Sequence, residues 1–288
     1  MKRILITGAG SYIGTSMEAW LKQERFSGKY QVDTVDMRGE EWKRTDFSGY
    51  DTVFHVAGIA HQRETKKNAY LYYQVNRDLA VETALKAKKD GVKQFIFLSS
   101  MSVYGLEEGT IDGKTPMHPR SHYGKSKLAA EKRLKKLASA SFRIVVLRPP
   151  MIYGPGCRGN YPLLSQAAKR LPLFPYIRNR RSMLYIENLC IFVQDIIDTG
   201  KKGLFCPQNT EYVCTGKMVK DIAAIEKHRI FMLPMPEWSV KLIPLGIVKK
   251  VFGSLIYQSA DFCPGFYSYE ESLIRTEKPR KGGGTYER

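Results

Sequence analysis

The chain has 288 residues, a formal net charge of +18 at pH 7 and a hydrophobic fraction of 43%. The hydrophobic fraction excludes global disorder, and the length allows one two-lobed unit or two small domains. The charge fits either a solvated basic surface or attraction of an anionic ligand. No basic helix, zinc ligand set or aromatic RNA-binding strand indicates a nucleic-acid partner.

The five cysteines are odd in number and scattered, without a C-x-x-C pair. This pattern predicts reduced thiols in a cytoplasmic protein and no metal site. Met1 leads directly into a predicted strand, so we expect no signal peptide. No apolar run reaches the roughly 20 residues of an integral membrane segment. The nearest candidate, Trp238–Leu255, contains Pro244 and three lysines and fits either a buried helix or a helix on a membrane surface.

The first predicted element is a buried strand, Arg3–Thr7, followed by a glycine-rich turn and an amphipathic helix that runs to Gln23. Strand, glycine turn and helix are the opening of a Rossmann unit, in which glycines let the backbone approach a pyrophosphate at the helix N-terminus. An ordinary strand-to-helix turn has the same pattern when it is considered alone. The candidate cofactor-binding residues of this turn are Gly8, Gly10, Ser11, Tyr12, Ile13 and Gly14.

Asp36 ends the second predicted strand, Tyr30–Val35. It lies about 20 residues past the glycines, where a carboxylate can hydrogen-bond both ribose hydroxyls and would repel a 2′-phosphate. NAD is therefore favoured as the cofactor, while Arg38 keeps NADP open. The fourteen residues from 37 to 50 are short for a crossover helix. Within them, Asp46 and Phe47 are candidate contacts to the adenine edge.

The next two predicted strands end in small or hydroxyl-bearing residues. The strand that begins at Asp51 ends in Val56, Ala57 and Gly58, which leave room for a cofactor. His55 on this strand is predicted to be packed, and His61 and Arg63 follow in a loop that is either solvated or faces substrate. A helix over 72–89 precedes the strand Gln94–Ser100. The loop from there to residue 120 is rich in glycine and proline, which predicts a mobile flap.

Tyr123 and Lys127 lie one helical turn apart on a charged helix that runs to about Ala138. A free tyrosine titrates near pH ~10 and is a poor base at neutral pH, whereas a neighbouring ammonium lowers its pKa. Such a pair can take a proton from an alcohol as hydride leaves the carbon. The spacing occurs by chance on many helices, but here it follows the glycine turn and the Ser99-Ser100 pair in order.

The composition changes near residue 155, where loops lengthen and prolines accumulate. We therefore predict a dinucleotide-binding Rossmann domain over 1–155 and a substrate lobe over 156–276, with 182–207 returning to the Rossmann sheet. Residues 277–288 are predicted to be a disordered tail. Three arginines, Arg178, Arg180 and Arg181, are either a solvated face or a phosphate clamp.

The order of these motifs resembles the extended short-chain dehydrogenase/reductase superfamily, in particular its NAD-dependent epimerase/dehydratase family. The resemblance implies a doubly wound α/β Rossmann sheet with a smaller, mostly C-terminal substrate lobe. It implies catalytic roles for Ser100, Tyr123 and Lys127. It also implies cofactor contacts from the glycine turn and substrate contacts near the catalytic serine. The further residues that it assigns are Asn76, Ser99 and Pro150 for the cofactor, and Met101, Ser102 and Arg181 for the substrate.

The sequence departs from the family pattern at three places. Gly10-Ser11 stands where the glycine motif has any residue followed by glycine, and Met151 stands where relatives have an asparagine that contacts the nucleotide phosphates. Met101 and Ser102 stand where dehydratases of the family have an Asp-Glu pair. The last difference argues against a 4,6-dehydratase, since neither side chain is a useful acid or base.

The resemblance implies 4-epimerisation of a UDP-hexose, with tightly held NAD and a transient 4-keto sugar. A one-way NAD(P)H-dependent ketoreductase of a nucleotide-sugar uses the same three residues and remains the alternative. A non-catalytic dinucleotide sensor is a third reading, which an intact Ser100, Tyr123 and Lys127 disfavours. Relatives also pair the helices at 72–89 and 123–138 into a homodimer, and the expected location is the cytoplasm.

Overall fold

A computed structural model describes residues 1–60, 62–238, 250–259 and 261–279. His61, most of the apolar stretch Trp238–Leu255 and the last nine residues of the predicted tail lie outside these ranges. No α-helix within the described ranges is long and apolar enough to cross a bilayer. The chain divides into two units, which are described separately below.

The structure contains strands and helices throughout both units. The described strands are β1 Lys2–Thr7, β2 Tyr30–Val35, β3 Thr52–His55, β4 Gln94–Leu98, β5 Gly109–Ile111, β6 Arg143–Leu147, β7 Met151–Tyr153, β8 Leu173–Tyr176, β9 Met183–Tyr185, β10 Gly203–Phe205, β11 Phe231–Pro234 and β12 Leu255–Tyr257. The helices are α1 Tyr12–Leu21, α2 Ala69–Tyr73, α3 Ala80–Lys89, α4 His122–Lys135, α5 Tyr161–Arg170, α6 Ile186–Thr199, α7 Thr215–Ile225 and α8 Tyr269–Glu277.

The first unit comprises residues 1–105, 117–149 and 189–207. Its six-stranded sheet has the order β10-β6-β4-β3-β1-β2, and every neighbouring pair is parallel. The central strands β3 and β4 are buried along their whole length, as parallel strands are when helices cover both faces. The predicted doubly wound α/β fold is confirmed.

The strand order reverses beside β1, because β2 lies on one side of it and β3 on the other. Ligands of doubly wound sheets bind at the carboxyl ends of the strands flanking such a reversal. The segment between β2 and β3 contains only a short 3₁₀ turn, Glu41–Arg44, so no crossover helix is inserted there. The expected site therefore lies where β1, β3 and β4 end.

The second unit comprises residues 106–116, 150–188 and 208–288 and contains three small parallel two-stranded sheets among its described residues. β9 pairs with β7 in this unit, whereas β10 joins the six-stranded sheet of the first. The segment expected to return to the Rossmann sheet thus does so only at β10. The loop predicted to be a flap contains β5, which pairs with β12.

The predicted tail, 277–288, overlaps the last described helix by one residue. Glu277 is the last residue of α8, and its carboxylate accepts hydrogen bonds from Tyr161 (2.6 Å) and Ser165 (2.9 Å). Lys169 forms an ion pair with the same carboxylate at 2.8 Å. These contacts join the end of α8 to α5 within the second unit.

Candidate active site

The glycine turn after β1 has the conformation that a phosphate-binding loop requires. Gly8 has φ +98°, and a Cβ there would stand 2.9 Å from the backbone nitrogen of Ala57. Gly10 has φ +72°, but nothing lies within 4 Å of where its Cβ would be. A glycine at position 8 thus permits close packing of the ends of β1 and β3, while Gly10 leaves open space in front of the helix.

Ser11, the residue that departs from the family motif, is the N-cap of α1. Its Oγ accepts a hydrogen bond from the Gly14 amide at 3.1 Å, and its backbone is extended. Tyr12, Ile13 and Gly14 form the first turn of this helix. Open space beside Gly10 and the positive end of a helix dipole fit a pyrophosphate, so this turn is suited to a dinucleotide.

Asp36 lies directly after β2 and is held by Arg38. The Arg38 backbone amide donates to Asp36 Oδ1 at 3.0 Å and its Nε donates to Oδ2 at 2.9 Å. These hydrogen bonds lower the pKa of Asp36 to about 2, so it is ionised at neutral pH. The carboxylate that is expected to bind the ribose is therefore paired with Arg38, the residue that leaves NADP as the alternative cofactor.

Removing Asp36 tests the cofactor preference directly. We expect Asp36→Ala to reduce the preference for NAD over NADP roughly tenfold, because the ribose loses its acceptor and the 2′-phosphate loses a repelling charge. Arg38→Ala is the matched variant and should shift the preference the other way. Dissociation constants for both dinucleotides, measured by calorimetry, give the result. Tighter binding of NADP than of NAD by the unmutated protein would contradict this prediction.

Asp46 and Phe47, the candidate contacts to the adenine edge, differ in their exposure. Phe47 is completely buried in the core of the first unit, so only its backbone remains for such a contact. Asp46 is exposed and accepts hydrogen bonds from the backbone (2.8 Å) and hydroxyl (2.7 Å) of Ser48. Phe47 is therefore a core residue, and the contact of Asp46 and Phe47 with the adenine edge stays a prediction.

The end of β3 is held by a buried asparagine. A Cβ on Gly58 would stand 2.9 Å from Asn76 Oδ1 and 3.3 Å from Lys127 Nζ, so these three residues come together. Asn76 accepts from the Ile59 amide at 2.8 Å and donates to the Ile59 carbonyl at 3.1 Å and to Ser126 Oγ at 3.2 Å. Its amide thus positions the chain after Val56 and Ala57.

Asn76 lies in a π-helical turn, Gln74–Leu79, between α2 and α3. Such a turn interrupts the regular α-helical hydrogen bonds and is frequent at functional sites. His55, by contrast, is completely buried and bonds Thr7 Oγ1 at 2.8 Å. Burial, with a further effect from Lys127, lowers its pKa to about 3, so His55 is neutral and packed.

Ser100 follows the carboxyl end of β4, and a Cβ on Gly124 would stand 2.6 Å from the Ser102 carbonyl oxygen, so the start of α4 packs against the turn after Ser100. Ser100 caps the 3₁₀ turn Met101–Tyr104, with its Oγ accepting from the Ser102 amide at 3.1 Å. Burial raises the pKa of Tyr123, and a hydrogen bond from Ser100 partly opposes this shift. The net direction is upward, opposite to the one expected from a neighbouring lysine.

Lys127 is buried, with 4% of its surface exposed. Its Nζ donates to the Leu98 carbonyl at 2.8 Å and lies 4.7 Å from the centre of the Phe97 ring. Burial lowers the pKa of Lys127 to about 8, although the charge of Glu131 raises it. The ammonium is therefore fixed to the end of β4 beside Gly58, and burial brings its titration close to neutral pH.

Three charged residues around this site were not identified from the sequence. The Glu64 carboxylate accepts the backbone amides of His122 (2.8 Å) and Tyr123 (2.9 Å), which fixes the start of α4. Glu131, two turns after Tyr123, accepts from Ser99 Oγ and pairs with Arg148 at 2.5 Å. The regular four-residue spacing of Tyr123, Lys127 and Glu131 was the available signal for Glu131.

The remaining predicted site residues lie in different parts of the structure. Met101 begins the 3₁₀ turn, and its amide donates to the Pro149 carbonyl at 3.0 Å, while Ser102 is exposed. Pro150 is buried and follows Pro149 directly. Arg181 lies in the second unit, where its Nη1 donates to the Gly253 carbonyl at 2.6 Å. Burial lowers the pKa of Arg181, opposed by the charge of Glu108.

Comparison with known proteins decides the family. The model of the NAD dependent epimerase/dehydratase family matches residues 4–203, which include the glycine turn and the Ser100, Tyr123 and Lys127 set. The chain belongs to this family. Among the structure's described residues, no group of histidine, cysteine and acidic side chains is arranged to hold a metal ion.

Individual members of the epimerase/dehydratase family are similar over most of the chain. A UDP-glucose 4-epimerase of Vibrio cholerae is 33% identical over 267 residues, 84% of this chain and 81% of that protein. An N-acetyl-α-D-glucosaminyl-diphospho-ditrans,octacis-undecaprenol 4-epimerase of Escherichia coli O157:H7 is 31% identical over 206 residues, 66% of this chain and 62% of that protein.

Solved structures share the fold at low identity. A dTDP-4-dehydrorhamnose reductase of Clostridium acetobutylicum has a TM-score of 0.74 at 18% identity and covers 95% of this chain and 98% of its own. A UDP-glucuronic acid 4-epimerase of Bacillus cereus, in complex with NAD, has a TM-score of 0.71 at 18% identity, covering 94% and 96%. Epimerases and reductases therefore share this architecture.

Proposed function

We propose that the protein is an NAD-dependent 4-epimerase of a nucleotide-sugar, with a UDP-hexose as substrate. The observation that carries the proposal is the position of Tyr123 at the start of α4, which packs against the turn that follows Ser100, one helical turn from a buried Lys127. The similarity to a UDP-glucose 4-epimerase along 84% of the chain supports the choice of reaction. Arg181 is proposed to bind the nucleotide diphosphate.

The turn through Gly8 and Gly10 and the N-terminus of α1 would hold NAD, which would supply a reversible hydride acceptor for C4 of the sugar. Tyr123 takes the proton of the C4 hydroxyl, and Ser100 hydrogen-bonds the reacting oxygen. Lys127 is fixed by the Leu98 carbonyl and Glu64 fixes the start of α4, so the acceptor and the ammonium are held in place before substrate arrives. Asn76 positions the chain at the end of β3 in the same way.

Product analysis without added reductant tests the epimerase. Purified protein is incubated with UDP-galactose, and the appearance of UDP-glucose is followed by chromatography. Conversion without added cofactor supports a 4-epimerase that retains NAD. Conversion of a 4-keto sugar only when NADH or NADPH is supplied supports the ketoreductase, the activity class of the C. acetobutylicum neighbour. A protein that binds dinucleotide but converts neither substrate would be a sensor.

The residues after Ser100 predict that the sugar keeps its C6 hydroxyl. Elimination of water needs an acid for this hydroxyl and a base for the C5 proton. Met101 has no exchangeable proton, and the Ser102 hydroxyl is an exposed partner of Ser100 at 3.1 Å. We expect no loss of water when the protein is incubated with NAD and UDP-hexoses, as measured by mass spectrometry. A product lighter by one water would contradict this prediction and would implicate Glu107, the next carboxylate along the chain.

A further inference from the structure

The outward face of the small sheet β8–β11 in the second unit is apolar. Leu173 pairs with Phe231 and Pro175 with Leu233 across the two parallel strands. Leu173, Phe231 and Leu233 are 47%, 66% and 43% exposed, whereas Phe174, which points the other way, is 7% exposed. An outer face normally carries polar residues, whereas this sheet has apolar residues on both its faces.

Cationic side chains lie beside this apolar face. Phe231 also lines a cavity of about 500 Å³, and Lys220 and Arg229 are among the other residues that line it. Both cations are exposed. The nearby carboxylate of Glu226 is paired with Lys169 at 3.4 Å. The apolar face therefore has a positively charged border.

We propose that the β8–β11 face, formed by Leu173, Phe231 and Leu233, docks on the surface of an anionic lipid membrane. Apolar side chains on such a face enter the boundary between headgroups and acyl chains, and the bordering cations remain at the level of the anionic headgroups. The net charge of +18 adds a favourable long-range attraction.

Charge complementarity favours a membrane over a second copy of the chain as the occupant. A two-fold symmetric contact places the same patch on both sides of the interface. Such a contact would bring together two patches that both carry Lys220 and Arg229, so it would concentrate like charges at the interface. An anionic membrane instead presents negative charge to the border and an apolar interior to Phe231 and Leu233.

Flotation with lipid vesicles tests this proposal, using the full chain. We expect the protein to float with vesicles of phosphatidylcholine and phosphatidylglycerol and to remain behind with phosphatidylcholine alone. Phe231→Ser/Leu233→Ser should reduce binding to anionic vesicles at least tenfold. Lys220→Glu/Arg229→Glu should reduce it similarly, and added salt should weaken binding by the parent protein.

Leu204→Ser and Lys202→Glu provide matched control variants. Both residues are exposed at β10, an edge strand of the six-stranded sheet of the first unit, Leu204 by 49%, and vesicle binding should be unchanged. The β8–β11 variants should keep the parent's turnover of a water-soluble nucleotide-sugar, so the result is independent of the proposed function. Failure of the parent to bind anionic vesicles, or equal binding by the β8–β11 variants, would overturn the proposal. Conversion of a parent dimer to monomers by Phe231→Ser/Leu233→Ser would also overturn it, since the face would then join two copies.

Discussion

Replacement of Tyr123 by phenylalanine is expected to lower turnover by about 10²–10⁴-fold while the cofactor still binds. The change removes only the phenolic oxygen, which is proposed to accept the substrate proton. The Tyr123 amide remains bound to Glu64 at 2.9 Å, so the start of α4 should be retained. Turnover with UDP-galactose and cofactor affinity, measured on the same preparation, test this expectation.

Tyr50→Phe is the matched control for this variant. Tyr50 also carries a hydroxyl in a side-chain hydrogen bond, to Asp33 at 2.9 Å, but it lies before β3 and away from Ser100. Its loss should leave turnover within a factor of about two, as expected of a partly exposed site. Near-normal turnover in Tyr123→Phe would show that another group accepts the proton.

The pH dependence of turnover provides a second readout for Tyr123. A tyrosine acts as a base only when it is deprotonated, and burial raises the pKa of this one above its ordinary value. Turnover of the parent protein should therefore increase as the pH rises from neutrality. In Tyr123→Phe this increase should disappear, because the titrating hydroxyl is gone, and only the titration of Lys127 should remain.

Arg148→Met is expected to lower the free energy of unfolding by about 3–5 kcal/mol. Arg148 and Glu131 are both buried, with 6% and 8% of their side-chain surface exposed. Burial lowers the pKa of Arg148, but its hydrogen bonds and ion pair with Glu131 raise it more, and the net direction is upward. Without the guanidinium, the Glu131 carboxylate would remain buried beside Ser99 without its ionic partner. Urea denaturation measures the change.

Arg133→Met provides the control for Arg148→Met. Arg133 pairs with Asp78 at 3.1 Å, but 53% of its side chain is exposed. An ion pair exposed in this way contributes only about 0–1 kcal/mol. The double variant Arg148→Met/Glu131→Leu should recover much of the lost stability, since it removes both charges. Equal effects of Arg148→Met and Arg133→Met would mean that the buried pair does not stabilise the first unit.

The fold class and the shared helix face of Tyr123 and Lys127 could be predicted from the sequence because both depend on local patterns. Apolar runs of strand length and the turn through Gly8 and Gly10 indicate a parallel sheet with a dinucleotide-binding first turn. Tyr123 and Lys127 are one helical turn apart wherever α4 lies. Helix geometry alone therefore places them on the same face.

Tertiary structure alone decided the electrostatics of the site. The sequence spacing suggested that Lys127 lowers the pKa of Tyr123, whereas burial sets the pKa of both, raising one and lowering the other. Desolvation depends on what covers a side chain, which residue spacing does not show. Glu64 lies 59 residues before Tyr123 and 58 before His122, so its contact with both amides could be found only in the folded chain.

The pairing of strands also depends on contacts between residues that are distant in the sequence. The sequence predicts that 182–207 returns to the Rossmann sheet, but the sheet that each strand of this segment joins depends on which partner the strand meets. β9 pairs with β7 and β10 with β6, because hydrogen-bonding partners are selected by the tertiary fold. Phe47 shows this for a single side chain, since its complete burial in the core depends on the residues that pack around it. The sequence by itself therefore determined the family chemistry and the element types, while packing decided the charges and partners around them.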